Sequence, residues 1–438
     1  MPHITPFVRI FAETNDTMQH KKNGWSWIPT LYFTEGLPYF AVTVISVILY
    51  KRMGVSNADI ALYTSWLYLP WVIKPFWSPI VEMLFTRRKW IVATQLFMGA
   101  LLAAVAFTIP VSSFFQYTLA FFWLLAFGSA THDIAADGFY MLGLSGEQQS
   151  FFSGIRSIFY RIATIFGQGF LIIVAGYLEK RTGSIATAWS LTFALTAAIT
   201  LLLGLYHGAA LPKPANDISR SVGNVKEALR NFGEVITSYF KKPGIIPALL
   251  FMLLFRLPEA QLVKMLNPFL LDGRDAGGLG LTTEQIGITY GTIGVIGLII
   301  GGLAGGIAVS RKGLKYWLWP MVAAISLPDL VYVYLSYAQP ADIIVTNACI
   351  FIEQMGYGFG FTAYMLYLIY FAQGKYPTAH YAISTGFMAL GMMLPGMLSG
   401  YIQELLGYFG FFTWVMICCF ATFAVSAQLK IDADFGKK

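Results

Sequence analysis

Long runs of apolar residues alternate with short polar intervals along almost the whole chain. A helix that crosses a bilayer needs about 20 predominantly apolar residues, and the pattern predicts twelve such spans. Their approximate bounds are 28–50, 58–84, 90–110, 115–142, 150–177, 186–208, 244–271, 284–309, 316–337, 340–372, 378–403 and 407–428. The sequence therefore predicts an all-α membrane protein.

One long polar interval, 209–243, separates the sixth span from the seventh. It opens with LPKP, and its apolar residues recur at helical spacing at Val225, Leu229, Phe232, Val235 and Ile236. This spacing predicts an amphipathic helix that lies along the membrane surface. The predicted parts are an N-terminal segment 1–27, a six-helix bundle 28–208, a linker 209–243, a second six-helix bundle 244–428 and a tail 429–438.

The composition supports this class of protein. Of the 438 residues, 57% are hydrophobic and only 12% are charged, about half the charge of an ordinary soluble chain. The first 27 residues lack the apolar core and cleavage site of a secretory signal, so the first span is expected to be retained. The cysteines (Cys349, Cys418 and Cys419) lie in apolar segments without C-x-x-C spacing or a histidine pair, so neither a disulfide framework nor a metal site is predicted.

The basic residues predict the orientation. Most of the 29 Lys and Arg residues fall on the side of the predicted bundles that carries both termini. Basic loops favour the cytoplasmic side, so both termini are expected in the cytoplasm. A short basic loop also follows the second span (EMLFTRRKW) and the eighth (VSRKGLKYW), as is typical of duplicated transporter bundles.

Ionisable residues lie deep inside the predicted spans. A charge at the bilayer centre costs about 3 to 15 kcal/mol unless it faces water or a partner. These residues are Glu35, Lys74, Asp133, Asp137, Arg156, Arg161, Arg256, Glu259, Lys264, Asp329 and Glu353. Most of them belong to the first, fourth, seventh and tenth spans, which line the central cavity in the major facilitator fold. We therefore expect a polar cavity between two bundles of six helices.

Two interpretations remain open for the acids of this set. Asp133 and Asp137 either form gating ion pairs with Arg156 and Arg161 or contact substrate and protons directly. Glu35 and Glu353 have no base within one helical turn. They are therefore proton-site candidates, with a partner across the cavity as the alternative.

The seventh span carries Arg256, Glu259 and Lys264 within nine residues. Arg256 and Glu259, three residues apart, can pair with each other. Alternatively, Arg256 or Lys264 binds an anionic or sugar-like substrate.

Lys74 lies in LPWVIKPFW, close to Trp66, Trp71 and Trp77. Aromatic rings in polar cavities stack on sugars, but tryptophan is also common in packing seams. We keep both readings, and we read Asp329 in SLPDLVY as either a cavity group or a local helix cap.

Several stretches resemble known families. SPIVEMLFTRR (78–88) resembles a worn form of the major facilitator signature G-x-x-x-D-R-x-G-R-R, with Glu82 in place of the aspartate. The resemblance implies that Glu82 and the following basic loop help to latch the two bundles on the inner side.

More specifically, KPFWSPIVE, ATQLFMGALLAA, AFGSATHDIAADGF and GIRSIFYRIATIFGQG resemble the AmpG branch, which includes anhydromuropeptide permeases and relatives that transport acetyl-coenzyme A. The branch carries A-[ST]-Q-D-x-x-x-D-A, whereas here His132 replaces the glutamine and Gly138 the last alanine. The resemblance covers residues 28–210, and the second half matches only in layout.

This resemblance implies a function. It implies that the proton gradient, without any cofactor, drives import of a cell-wall sugar or muropeptide across the bacterial inner membrane. Asp133, Asp137 and Arg161 become the leading positions. The implied partners are a small glycoconjugate and the lipid bilayer, with no nucleic acid, and the implied functional unit is a monomer.

Other cargoes fit the same scaffold, namely a siderophore, a coenzyme A thioester or a sugar acid. A membrane-embedded enzyme does not fit. His132 and Asp133 are adjacent and point about 100° apart on a helix, so they do not form a base and its orienting group. We expect His132 and His380 to be packed and hydrogen-bonded.

Overall fold

The computed structural model describes residues 24–218 and 225–437, except for the side chains at 79, 80, 82, 83, 146, 147, 150 and 225–232. Within this part of the chain all regular secondary structure is helical, as the apolar pattern predicts. Most of the N-terminal segment 1–27 lies outside the described residues. So do the side chains of Glu82, Val225, Leu229 and Phe232.

The first six spans are built from eleven helical pieces. Their bounds are Ile28–Phe40, Ala41–Ile45 and Ser46–Arg52 for span 1, Asn57–Trp66 and Leu69–Leu84 for span 2, Arg87–Thr108 for span 3, Phe114–Gly143 for span 4, Gly146–Thr164, Ile165–Phe170 and Leu171–Thr182 for span 5, and Ile185–Ala210 for span 6. The pieces Ala41–Ile45 and Ile165–Phe170 are π-helical turns inside otherwise continuous helices.

The last six spans follow a linker helix, Val225–Phe240. Their bounds are Ile245–Leu254 and Leu257–Leu271 for span 7, Thr283–Ile288, Thr289–Gly294 and Val295–Lys312 for span 8, Leu314–Ser326, Leu327–Asp329 and Leu330–Ala338 for span 9, and Ile343–Ala372 for span 10. The helix Pro377–Ser426 contains a non-helical residue, Gly407, with φ 66° and ψ 174°. We therefore divide it into span 11 (377–406) and span 12 (408–426).

Nine helices among the described residues are long and apolar enough to cross a membrane by length and composition. The last of them is the double helix that Gly407 divides. The two shorter helices of span 2 and the 30-residue helix of span 10 are not among these nine. The total is consistent with the twelve predicted spans.

The hydrophobic core is continuous at one end of the molecule and divided at the other. At the first end, Leu37, Ile45 and Phe122 of the first six spans share one cluster with Leu266 and Phe412 of the last six. At the opposite end the core consists of two clusters, one around Trp27 and Phe139 and one around Phe251 and Tyr364. The halves are therefore joined at one end and separated by a cleft towards the other.

We call these the closed end (residues 51–57, 179–185, 272–283 and 403–408) and the open end (84–87, 312–314 and 372–377). The linker helix packs against the last six spans at the open end. Tyr239 is fully buried there against Phe371, and the side chains of Ser238 and His380 lie 3.0 Å apart. Val235 and Ile236 are half-buried, as an amphipathic helix requires.

Spans 7 and 9 are interrupted beside ionisable residues. Span 7 is interrupted before Pro258, with Arg256 in a non-helical conformation at φ −100° and ψ 18°. Span 9 contains a short 3₁₀ turn, Leu327–Asp329, that includes Pro328. Proline lacks a backbone donor and does not fit a helix interior, and within a membrane such breaks are tolerated only where protein or water surrounds them.

Candidate functional site

The walls of the cleft carry a charged cluster contributed by the first six spans. Asp133 of span 4 lies 3.6 Å from the Lys74 ammonium of span 2. The indole Nε1 of Trp71 donates a hydrogen bond of 3.2 Å to the same carboxylate oxygen. Trp71 is held by edge contact with Tyr39, with ring centroids 5.2 Å apart. The ion-pair partner of Asp133 is thus Lys74 of span 2, whereas the sequence suggested the arginines of span 5 as its partners.

Asp137, one turn along span 4, lies 3.2 Å from the Arg156 guanidinium of span 5. The guanidinium also lies over the rings of Tyr32 and Tyr140, at 4.7 Å and 5.2 Å from their centroids. The side chains of Asp137 and Arg156 are 47% and 36% exposed, so this pair is reachable from the cleft. Tyr381 of span 11, in the other half, interacts electrostatically with both members of the pair.

Glu35 of span 1 completes this cluster. The charged groups that face it are Asp133, Asp137, Arg156 and Lys74. Its Oε2 atom is buried and has no hydrogen-bond partner among the described residues. The cluster therefore holds three carboxyl groups and two bases, which leaves one negative charge in excess when all of them are ionised.

Arg256 lies at the break of span 7 and faces the cleft from the other half. It donates a hydrogen bond of 2.6 Å to the Tyr357 hydroxyl and lies 4.8 Å above the Phe361 ring. Its Nε atom is buried without a hydrogen-bond partner among the described residues. Glu259 interacts with it electrostatically, but the described residues contain no direct ion pair between the two. Arg256 therefore keeps one donor for another acceptor.

Lys264 does not line the cleft. It is 1% exposed, donates a hydrogen bond of 2.9 Å to Thr64 of span 2, and lies 5.0 Å from the centre of the Tyr68 ring. No carboxylate pairs with it in the described part of the chain. Lys264 thus ties span 7 to span 2 on the closed side of the cleft.

The last six spans also bury two carboxyl groups. Glu353 of span 10 accepts hydrogen bonds from the Tyr332 hydroxyl at 2.5 Å and from Gln354 at 3.0 Å. Asp329 lies in the broken turn of span 9, and Glu353 and Glu259 face it electrostatically. The sequence did not place Asp329 and Glu353 together.

Four predicted site residues stand apart from these clusters. Arg161 is half-buried and has no hydrogen bond or ion pair within the described residues. Trp77 packs on Phe127, with ring centroids 5.5 Å apart, and Trp66 is 38% exposed. No described contact joins either tryptophan to Lys74. The Glu82 side chain is not among those that the structure describes.

A polar network at the closed end was missed by the sequence reasoning. Lys51 of span 1 forms an ion pair of 2.6 Å with Asp272, which also accepts a hydrogen bond of 2.6 Å from the Tyr408 hydroxyl. Asn57 of span 2 donates a hydrogen bond of 2.6 Å to Gln403 of span 11. These contacts fasten the first six spans to the last six.

Span 5 makes a second closed-end link. Glu179 accepts a charge-assisted bond of 2.9 Å from Arg52 of its own half and one of 2.9 Å from the Thr283 hydroxyl of the other half. Lys180 pairs with Glu284, also across the halves. In the sequence these residues look like solvated charges at span ends, and nothing in their spacing reveals the partner half.

The two histidines are packed and hydrogen-bonded, as expected. His132 is fully buried and lies 2.9 Å from Gln95 of span 3, which in turn lies 2.8 Å from His207 of span 6. His380 lies near Ser238. These contacts join neighbouring helices within each half.

Comparison with known sequences supports the assignment of the fold. The sequence profile of the Major Facilitator Superfamily matches residues 30–400. Putative transporter AmpG 4 of Rickettsia conorii is 27% identical over 402 residues, which cover 88% of this chain and 92% of that protein. The anhydromuropeptide permease of Escherichia coli (strain K12) is 24% identical over 390 residues, covering 87% of this chain and 74% of that protein.

Solved structures share the same fold at low sequence identity. A D-xylose-proton symporter superposes with a TM-score of 0.71 at 11% identity, covering 94% of this chain and 98% of that one. The inward-open xylose transporter XylE from E. coli gives a TM-score of 0.64 at 11% identity, covering 90% and 94%. The superfamily and these relatives are transporters and not enzymes. The profile match shows the family, and the helical bundles and the cleft agree with it. This chain belongs to the Major Facilitator Superfamily and is a multi-pass membrane transporter of a small molecule.

Proposed function

We propose that this protein is a proton-coupled importer of a cell-wall-derived aminosugar fragment, such as a muropeptide, across the bacterial inner membrane. Its relatives are named for AmpG-type and anhydromuropeptide transport. The transporter works by alternating access, in which the two halves rock around the cleft. Both termini lie in the cytoplasm, so the open end faces inward.

The proposed substrate class rests on the surroundings of Arg256. A guanidinium whose Nε donor is free suits a carboxylate, because its planar donors match the carboxylate oxygens. The rings of Tyr357 and Phe361 lie beside it and offer apolar faces to a sugar. A muropeptide carries both a sugar and carboxylates.

The observation that supports proton coupling is the charge of the cluster around Asp133. Glu35, Asp133 and Asp137 share two bases, Lys74 and Arg156. In a site of low dielectric the excess negative charge favours binding of one proton. A proton taken up from the acidic side and released towards the cytoplasm would return the cluster to its charged state and drive the cycle in one direction.

The first test replaces Asp133 by Asn in protein reconstituted into liposomes. We expect the variant to lose uptake of an anhydromuropeptide driven by an acid-outside gradient, because the substitution removes the excess negative charge of the cluster and an amide does not titrate near neutral pH. Asp275→Asn, an exposed acid at the closed end, is the matched control and should transport normally. Gradient-driven uptake by the Asp133 variant at the wild-type rate would reject its role in coupling.

The cargo requires a separate test. A ligand that binds the folded state raises the melting temperature of the purified protein. We expect anhydromuropeptides to give a larger increase than a siderophore, an acyl-coenzyme A or a sugar acid. A larger increase with any of these three would assign the transporter to that cargo instead.

A further inference from the structure

Glu353 lies deep in the last six spans with one of its two oxygen atoms unused. The residue is 1% exposed. Its Oε2 accepts both hydrogen bonds, from Tyr332 and Gln354, whereas Oε1 is buried and has no partner among the described residues. An unpartnered buried carboxylate oxygen is costly, so it signals a ligand that occupies it in part of the cycle.

Asp329 presents a second unused oxygen to the same region. It is 3% exposed, and its Oδ1 is buried without a partner among the described residues. It lies one turn before Tyr332, whose hydroxyl donates a hydrogen bond to Glu353, and it interacts electrostatically with Glu353. Its Oδ2 lies 4.0 Å from the Cys419 sulfur of span 12.

The groups that face these two acids provide no compensating charge. Glu259 faces both, and Tyr332 donates to Glu353. The remaining titratable neighbours are Tyr290, Tyr357 and Cys419. No lysine, arginine or histidine forms an ion pair with Asp329 or Glu353 in the described part of the chain. Two like charges buried together without a cation are strongly disfavoured, so one bound proton stabilises the pair.

We propose that Asp329 and Glu353 form a second proton-binding site, inside the last six spans and separate from the acids around Asp133. One proton binds to either carboxylate and leaves a single negative charge on the pair. The Tyr332 and Gln354 donors stabilise that remaining charge on Glu353.

Glu259 links this site to the cleft. It interacts electrostatically with both acids of the pair and with Arg256. Protonation of the pair removes one negative charge from the neighbourhood of Arg256, so an anionic substrate binds there more tightly. This coupling rests on the proposed function, whereas proton binding by the pair does not.

The site can be tested without any substrate. A protonated carboxylic acid has a carbonyl stretching band that infrared spectroscopy separates from those of carboxylates. In pH difference spectra of the purified protein, we expect Glu353→Gln and Asp329→Asn each to lose a band that the wild type shows. Asp275→Asn should retain it. A band unchanged in both acid variants would overturn the proposal.

Two further measurements keep the result interpretable. Tyr332→Phe retains both acids and should shift the band, since only a hydrogen bond to Glu353 is removed; an unshifted band would contradict the assignment. Sodium chloride at constant pH should leave the wild-type band unchanged. If sodium abolishes it, the site binds a metal cation instead of a proton.

The coupling between protonation of the acid pair and substrate binding is tested by measuring the affinity for an anhydromuropeptide at several pH values. We expect the wild type to bind more tightly at low pH, and Glu353→Gln to lose this dependence. Retention of the full dependence in the variant would contradict the link through Glu259. If the wild type binds no muropeptide at all, the proposed cargo fails, while the infrared result still decides the proton site.

Discussion

Arg256 and Lys264 belong to the same span, but their surroundings give them different roles. Arg256 lies at the helix break, stacked on aromatic rings and with one unused donor. Lys264 is sealed between the halves against Thr64 and the Tyr68 ring. Only the first can meet a substrate in this state, while the second stabilises closure.

The role of Arg256 leads to a prediction at the residue scale. Arg256→Lys keeps the charge but loses the planar pair of donors, so we expect the KM for an anionic muropeptide to rise about tenfold or more. The exposed Arg181→Lys serves as the control and should leave KM unchanged. An unaltered KM in the Arg256 variant would exclude this guanidinium as the substrate anchor.

At the scale of elements, contact between the halves depends on helices that approach closely. Spans 5 and 8 meet at Gly291, where an added Cβ would lie 1.8 Å from the Gln168 carbonyl oxygen. Spans 2 and 11 meet at Gly400, where it would lie 2.2 Å from the Asn57 carbonyl oxygen. Small residues permit such approach of membrane helices. Closure therefore depends on glycine as much as on ion pairs.

The contact of spans 5 and 8 at Gly291 predicts the effect of adding one methyl group there. Gly291→Ala forces backbone atoms of spans 5 and 8 apart, and overpacking of this kind costs about 1 to 3 kcal/mol. We expect the equilibrium to shift away from the closed-end contact. Spin labels at positions 181 and 275, which lie in different halves at the closed end, should report longer distances.

The same span provides the control for this substitution. At Gly306 an added Cβ meets no atom within 4 Å, so Gly306→Ala should leave the label distance unchanged. Identical distance distributions in both variants would show that the Gly291 contact does not hold the halves together.

At the scale of the whole molecule, the hydrogen bonds and ion pairs between described residues of the two halves lie on the closed side. The ion pair of Lys51 with Asp272 and the bond of Glu179 to Thr283 are examples. At the open end each half has its own hydrophobic core. This arrangement is one state of an alternating-access cycle, and the opposite state must break the closed-end network.

The orientation of this state can be measured in intact cells. In a background without the three native cysteines, Arg181→Cys at the closed end should react with a membrane-impermeant maleimide added outside. Lys375→Cys at the open end should react only after the cells are lysed. Labelling of position 375 in intact cells would reverse the proposed orientation, and with it the direction in which the cleft opens.

The sequence by itself determined the helical class, the approximate spans and the residues that must be sheltered. Apolar runs of spanning length leave few alternatives in a bilayer, and charges such as Asp133 and Arg256 are too costly to face lipid. The sequence also offered a local helix cap at Asp329, where span 9 is interrupted next to Pro328. It did not indicate the break before Pro258, because other prolines, such as Pro320, lie inside helices.

Only the tertiary structure decided which residues the buried ionisable groups interact with. Asp133 pairs with Lys74 from a distant span, Arg161 pairs with none of the described residues, and Asp329 interacts electrostatically with Glu353 of the next span. The closed-end network likewise joins residues more than 100 positions apart, such as Glu179 and Thr283 or Lys51 and Asp272. Helical periodicity fixes which face a side chain occupies, but the rotation and depth of each helix against its neighbours depend on packing of the whole bundle.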